Sequence, residues 1–172
     1  MDDKAVIRRR MRLLRDLIDD RLLRSVQLWA SVAVLPEYVA ASTVMAFVGT
    51  RGEPDTDPLF ARIERDGKTL VLPRTLGERL EPALVGDGLR PGAFEVPEPS
   101  GDAIEPGSID LVLVPGLAFT VDGGRLGQGG GHYDRFLTQC RAPAIGVCFA
   151  EQLVDELPLH SHDVRLSRVV AV

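Results

Sequence analysis

Five short, unbroken apolar runs constrain the fold of this chain more than anything else in it. They fall at 44–48 (VMAFV) and 70–72 (LVL), each preceded by a threonine that opens the strand, at 111–114 (LVLV) in a strand expected from Ile109, and at 144–149 (AIGVCF) and 169–172 (VVAV). Runs this short suit a strand better than a buried helix, and valine and isoleucine favour the pleated surface. A strand with one face in water alternates apolar and polar residues; a run without alternation belongs to a sheet covered on both faces. Helical patterns lie between the runs, so strands and helices alternate. That pattern predicts a layered α/β fold with a largely parallel sheet. In such folds ligands sit beyond the carboxyl ends of the strands. The Val48–Glu53 turn, the Pro115–Gly131 loop and the Phe149–Gln152 turn all follow strands and meet at that rim.

Residues 4–24 read as one amphipathic helix, with Ile7, Met11, Leu14, Ile18 and Leu17 as its apolar side. Lys4 and Arg8 are four apart and share its other face. A second helix is expected over 25–35, with Trp29 in the core and Pro36 as its stop. Thr56 is placed to cap a helix that turns Leu59, Phe60 and Ile63 inward and ends at Gly67. Pro73 is expected to end the second strand. Residues 74–108 are dense in proline and glycine and read as a long irregular excursion with room for a short hairpin. Helices are expected over 132–140 and 151–157. Nothing marks a second domain in 172 residues, a length that buries a proper core.

Charge narrows the functions. Residues 1–24 hold eight Lys/Arg and five Asp/Glu, a net of +3; the whole chain is −5, which leaves −8 on the remainder. An acidic body argues against general nucleic-acid binding, while the basic segment suits a small anionic ligand. No apolar run has the length of a membrane span, and the charged N-terminus has no signal-peptide core, so a cytoplasmic location is expected. Cys140 and Cys148 read as free thiols.

The chemistry concentrates in 123–137, GGRLGQGGGHYDRFL, where six of the first nine residues are glycine. Strand, glycine loop and helix start in that order present free backbone N–H groups to a phosphate. The loop is not a P-loop: that motif ends in Gly-Lys-Ser/Thr, and the only lysines are Lys4 and Lys68. Nor is it the dinucleotide fingerprint, since His132 stands where the third glycine belongs. Arg125 before the loop can clamp phosphate oxygens, and Asp134 after it can hold Mg²⁺ on those oxygens. A glycine-rich surface turn is the plainer alternative. His160, His162 and Asp163 could likewise be metal ligands or ordinary polar loop residues. Arg51 and Arg74 could pair with an anionic substrate tail or be plain surface arginines.

The run Val114-Pro115-Gly116-Leu117-Ala118-Phe119, then Gly124-Arg125-Leu126-Gly127, Gly129-Gly130-Gly131 and Tyr133-Asp134-Arg135, resembles the signature of the 5-formyltetrahydrofolate cyclo-ligases, also called methenyltetrahydrofolate synthetases. The resemblance extends over nearly the whole chain and implies a three-layer α/β/α domain. It implies ATP and Mg²⁺ as cofactors and a reduced folate as substrate, in a monomer without nucleic-acid or membrane partners. By resemblance, Lys4, Arg8 and Arg125 contact nucleotide phosphates. Leu126, Gly127, Gln128, Gly129, Gly130, Gly131, His132 and Tyr133 complete the nucleotide loop. Gln128 to His132 also border the folate, together with Val48 and Glu53. Asp134 and Asp163 match Mg²⁺ ligands, and Arg125 matches the catalytic arginine. Pro73-Arg74 and Gln152 match further family positions. Gln128 and His132 stand where the family commonly has tyrosine or a basic residue, Leu80 where many members have methionine, and Ser167 where an Asp is common. The implied reaction is ATP-driven closure of 5-formyltetrahydrofolate to 5,10-methenyltetrahydrofolate. Two other readings remain at this point: a folate- or nucleotide-binding relative with little turnover, and an isomerase or acyl-transferase of similar architecture.

Overall fold

A computed structural model describes residues 3–172. Chain order gives α1 (Lys4–Asp16), α2 (Arg21–Ala33), α3 (Pro36–Ala40), β1 (Thr43–Met45), α4 (Asp57–Arg65), β2 (Thr69–Leu76) and β3 (Arg79–Leu84). These are followed by β4 (Leu89–Pro91), β5 (Pro97–Pro99), β6 (Leu111–Val114), β7 (Ala118–Phe119), β8 (Arg125–Leu126), α5 (His132–Leu137), β9 (Ala144–Cys148) and β10 (Arg168–Ala171). The main sheet runs β10-β9-β6-β1-β2-β3. Its first five strands are parallel and β3 is antiparallel at one edge. The expected single α/β domain with a mostly parallel sheet is the fold observed.

The apolar runs work as double-sided strands. Successive side chains of a strand point to opposite faces. Leu111, Leu113, Ile145, Val147, Val44 and Leu72 therefore join one core, under Leu28, Trp29 and Val32 of α2 and Leu59 and Ile63 of α4. Val112, Val114, Cys148, Met45 and Val71 join the other, with Phe136 and Leu137 of α5. A third, smaller cluster sets Met11 of α1 on Leu117, Ala118 and Leu126, so α1 lies against the β7–β8 hairpin beyond the sheet's carboxyl rim.

Several boundaries differ from the sequence expectation. The expected helix over 4–24, part of the basic segment 1–24 whose first two residues lie outside the described range, is two helices. Asp20, with φ 51°, turns the chain between them, and α2 starts at Arg21. Leu17, expected on the apolar side, is exposed at the C-terminus of α1. Thr56 sits at the start of α4 but does not cap it; its buried hydroxyl accepts from Gly49 N at 3.0 Å, and Asp55 instead accepts from Asp57 N at 3.0 Å. Pro73 does not end β2. It faces Pro82 across the antiparallel ladder, so two residues without N–H oppose one another and neither asks for a bond at that rung. Residues 74–108 are correspondingly not one irregular excursion. They hold the end of β2, all of β3 and the β4–β5 hairpin. The expected helix over 151–157 is a single 3-10 turn at Ala150–Gln152.

The chain after β5 returns along the outer side of β3. Gly101 N donates to Leu84 O at 3.1 Å, Leu84 N to Asp102 O at 2.9 Å, and Ile104 N to Pro82 O at 2.9 Å. At the other end of the site, Gln152 ties two strand ends together. It is 1% exposed. Its amide N–H groups donate to Gly116 O at 2.9 Å and Leu117 O at 3.2 Å, and its Oε1 accepts from Phe149 N at 3.0 Å. Replacing Gln152 with leucine keeps the volume but strands those backbone groups. The variant is expected to lose about 1–3 kcal/mol, the cost of leaving buried polar groups unpaired, as read by urea unfolding.

Candidate functional site

The glycine loop is shaped by its backbone. Gly129 (φ 113°) and Gly131 (φ 67°) both take positive φ, and Gly131 is the residue from which α5 starts. Side chains seldom adopt that region. The loop therefore turns sharply out of β8 and lays residues 127–131 along one wall of a cavity of about 970 Å³. The other walls come from α1, from the Phe47–Glu53 turn after β1, from β2 and β3, from the β4–β5 tip and from the loop holding His160, His162 and Asp163.

Most of the residues predicted for the site meet here. Lys4, Arg8, Val48, Glu53, Arg125, Leu126, Gly127 to Gly131, His132, Tyr133, Asp134 and Asp163 all line the cavity. Of the three rim turns, Phe149–Gln152 lies behind the site as a support and does not line it. Arg51 also lines the cavity, donating to Phe94 O at 2.8 Å. Arg74 is engaged elsewhere, with Glu81 at 2.8 Å and Gly101 O at 2.9 Å.

The charges are arranged as pairs. Arg125 is buried, its Nη2 is 3.1 Å from Asp134 Oδ2, its guanidinium lies 5.5 Å from the Tyr133 ring centroid, and its Nε has no hydrogen-bond partner. The other oxygen of Asp134 accepts from Val164 N at 3.1 Å. Lys4 Nζ is 2.6 Å from Asp163 Oδ2, an oxygen that also accepts from His160 N at 2.6 Å. Burial raises the pKa of Asp163, but the His160 N–H and the Lys4 ammonium outweigh it and hold the carboxyl below its usual range. Burial, reinforced by the charge of Glu53 and opposed by Arg125, pushes the Tyr133 phenol far up, so it stays neutral.

Sequence reasoning missed four contributors. Arg12 donates to Gln128 Oε1 from both Nε at 3.2 Å and Nη2 at 3.0 Å, next to the bond from Arg8 Nε to Gly127 O at 2.9 Å. Arg15 lies behind Glu53, 3.6 Å from its Oε1. Both continue the Lys4–Arg8 spacing along one helix face, the signal that could have found them. Phe94, at the β4–β5 tip, meets His132 edge-on at 5.9 Å between ring centroids. Glu98 accepts from Thr75 N at 2.9 Å and Ala93 N at 3.3 Å, fixing that tip over the cavity.

Among the described residues no three or more His, Cys, Asp or Glu side chains gather as a metal site, and no helix is long and apolar enough to cross a membrane. A Mg²⁺ that arrives on phosphates needs only one or two protein carboxylates. Asp134 and Asp163, both on the cavity wall, are a donor set of that kind.

A mostly parallel sheet with a glycine loop and a mixed polar and apolar cavity at its carboxyl rim is the architecture of an α/β protein with a small-molecule site. The chain matches the 5-formyltetrahydrofolate cyclo-ligase family over residues 1–172. The 5-formyltetrahydrofolate cyclo-ligase of Mus musculus is 27% identical over 188 residues, which span 97% of this chain and 90% of the mouse protein. That of Escherichia coli K12 is 32% identical over 151 residues, 78% of this chain and 80% of the bacterial protein. The solved structure of 5,10-methenyltetrahydrofolate synthetase from Aquifex aeolicus matches with a TM-score of 0.87 at 31% identity, covering 98% of this chain and 89% of that one. This chain belongs to the 5-formyltetrahydrofolate cyclo-ligase family and is a ligase.

The Lys4–Asp163 pair contributes to stability with a defined sign. A depressed carboxyl pKa stabilises the fold above the unfolded value of about 4 and ceases to do so as pH falls through the lower folded value. Asp163→Ala is expected to cost about 1.5–3 kcal/mol near neutrality, the range for hydrogen bonds to a charged group. Thermal melts of both proteins from pH 7 down to pH 2 should converge at the acid end.

Proposed function

We propose that the chain converts 5-formyltetrahydrofolate to 5,10-methenyltetrahydrofolate with hydrolysis of ATP and dependence on Mg²⁺. The observation that carries this reading is that one cavity is lined by both a glycine loop with cations and an apolar set around a carboxylate. Lys4, Arg8, Arg125 and the loop share its wall with Phe47, Val48, Pro73, Leu80, Phe94 and Glu53. The cations and loop N–H groups suit a triphosphate, the apolar residues a pterin ring.

The formyl oxygen of the substrate is a poor leaving group. It attacks the γ-phosphorus, ADP departs, and an imino-phosphate forms on the substrate. N10 then attacks the formyl carbon, loses its proton, and phosphate leaves with the oxygen. This chain's residues work by position and charge, as is usual in phosphoryl transfer. Lys4, Arg8 and Arg125 offset phosphate charge, and the N–H groups of Gly127 to Gly131 donate to phosphate oxygens. Arg125 is buried on the cavity wall, so its charge stands desolvated beside the loop. Leu126 and Tyr133 back the loop. Asp134 and Asp163 would hold Mg²⁺, which supplies charge neutralisation on the phosphates. Val48, His132 and the Gln128–Gly131 backbone border the folate, and Glu53 accepts from its polar N–H groups. Work as a monomer in the cytoplasm, with no nucleic-acid or membrane partner, completes the proposal; the acidic body supports the exclusion of nucleic acid.

Purified protein with 5-formyltetrahydrofolate and Mg²⁺ is expected to show the absorbance of the methenyl product only when ATP is added. Absence of any ATP-dependent rise, with binding of both ligands established, would defeat the proposal. Arg125→Ala is expected to lower turnover roughly a hundredfold or more, the usual loss for one preorganised electrostatic group. Asp134→Asn is expected to raise the Mg²⁺ concentration needed for half-maximal rate, measured by metal titration at fixed ATP.

A further inference from the structure

Arg15 is the least explained charge in the molecule. It is 2% exposed, and its Nε and Nη1 have no hydrogen-bond partner. A buried guanidinium is costly without a paired anion. The nearest anion is Glu53, at 3.6 Å, whose side chain is 13% exposed on the cavity wall. Arg15 itself does not line the cavity, so it reaches a ligand only through Glu53. We propose that Arg15 is a positioning residue that keeps Glu53 ionised and aimed into the cavity, so that it meets the substrate as a pure hydrogen-bond acceptor.

The local construction fits that role. Glu53 Oε2 accepts from Thr50 N at 3.1 Å, which leaves Oε1 facing Arg15. The turn carrying Glu53 rests on the end of α1, where Arg21 Nη1 donates to Arg15 O at 3.0 Å. Gly52 takes φ 82°, and a side chain there would meet Arg21 at 3.2 Å and Arg15 at 3.5 Å. Burial pushes the Glu53 carboxyl above its usual range and outweighs the Thr50 N–H, Arg15 and Arg51, which oppose it, so its ionised form depends on those three groups. The groups facing the carboxyl are thus Arg15 from α1, Arg51 from its own turn and the neutral Tyr133 from α5; Asp16 and Arg12 flank Arg15 on α1. Arg15 is the buried cation of the set, Arg51 being exposed. A protonated Glu53 would turn an acceptor into a donor and lose the N–H groups of a reduced pterin.

The inference rests on the reading of Glu53 as a folate contact, and the test separates the two. Binding of 5-formyltetrahydrofolate without ATP is measured by calorimetry between pH 6 and 9 on the wild type and on Arg15→Gln, Arg15→Lys and Glu53→Gln. Arg15→Gln is expected to move the pH midpoint of binding upward by about one unit, so that affinity falls roughly tenfold at the acid end and recovers toward pH 9. ATP binding by the same variant should be within about twofold of wild type. Arg15→Lys is expected to hold the wild-type midpoint, and Arg15→Met, expected to move it as Arg15→Gln does, carries the test if Arg15→Gln does not fold. Glu53→Gln should bind weakly with a flat profile. A flat Glu53→Gln at wild-type affinity would overturn the folate reading of Glu53. With Glu53→Gln weak, an unmoved midpoint in the folded neutral variant of Arg15 would overturn the role of Arg15 alone.

Discussion

Helix α1 is held to the molecule from two sides, and the site depends on both. Beneath it, Met11 packs on Leu117, Ala118 and Leu126, the residues that bracket the turn into the glycine loop. Along its edge, Lys4, Arg8, Arg12 and Arg15 reach Asp163, Gly127, Gln128 and Glu53 in turn. Those four partners come from three separate stretches of chain. Apolar packing fixes the height of the helix over the rim, and the basic residues fix its rotation. The two act on different freedoms: a smooth apolar contact does not set register, and the half-buried and buried basic residues do.

The charges of the site are also partly answered within the protein. Each cavity cation with a defined partner faces a carboxylate or a carbonyl of the protein, as with Lys4 and Asp163 or Arg125 and Asp134. Such pairing keeps like charges from repelling while the fold forms. It also means that an anionic ligand exchanges partners with groups already desolvated and aimed, which is cheaper than ordering them afresh.

The sheet was legible because buried parallel strands announce themselves as unbroken apolar runs, and 111–114 and 144–148 needed nothing more. The glycine loop and its flanking Arg125 and Asp134 were legible because glycine at positive φ and charge beside it are local features. What escaped depended on distant partners. Pro73 reads as a strand end until Pro82 is placed opposite it. Residues 74–108 look shapeless because their pairing is with β2 and with each other rather than with a periodic apolar face. Arg12 and Arg15 read as solvated charge because nothing nearby in the chain tells that Gln128 and Glu53 lie across from them. The break at Leu17–Asp20 was hidden by an apolar spacing that runs on through Ile18.

The segment that follows β5 has a consequence for the molecule among its own copies. A sheet that ends in a bare strand offers a row of unpaired N–H and C=O groups to any neighbour, and concentrated protein can polymerise along it. Here the outer side of β3 is already occupied at Leu84 and Pro82 by residues 101–104. Pro82 has no N–H to offer a newcomer, and Glu81 and Arg79 put charge on the same strand. A loop that reads as a long detour thus covers part of one margin of the sheet and leaves fewer free backbone groups there for another chain to pair with.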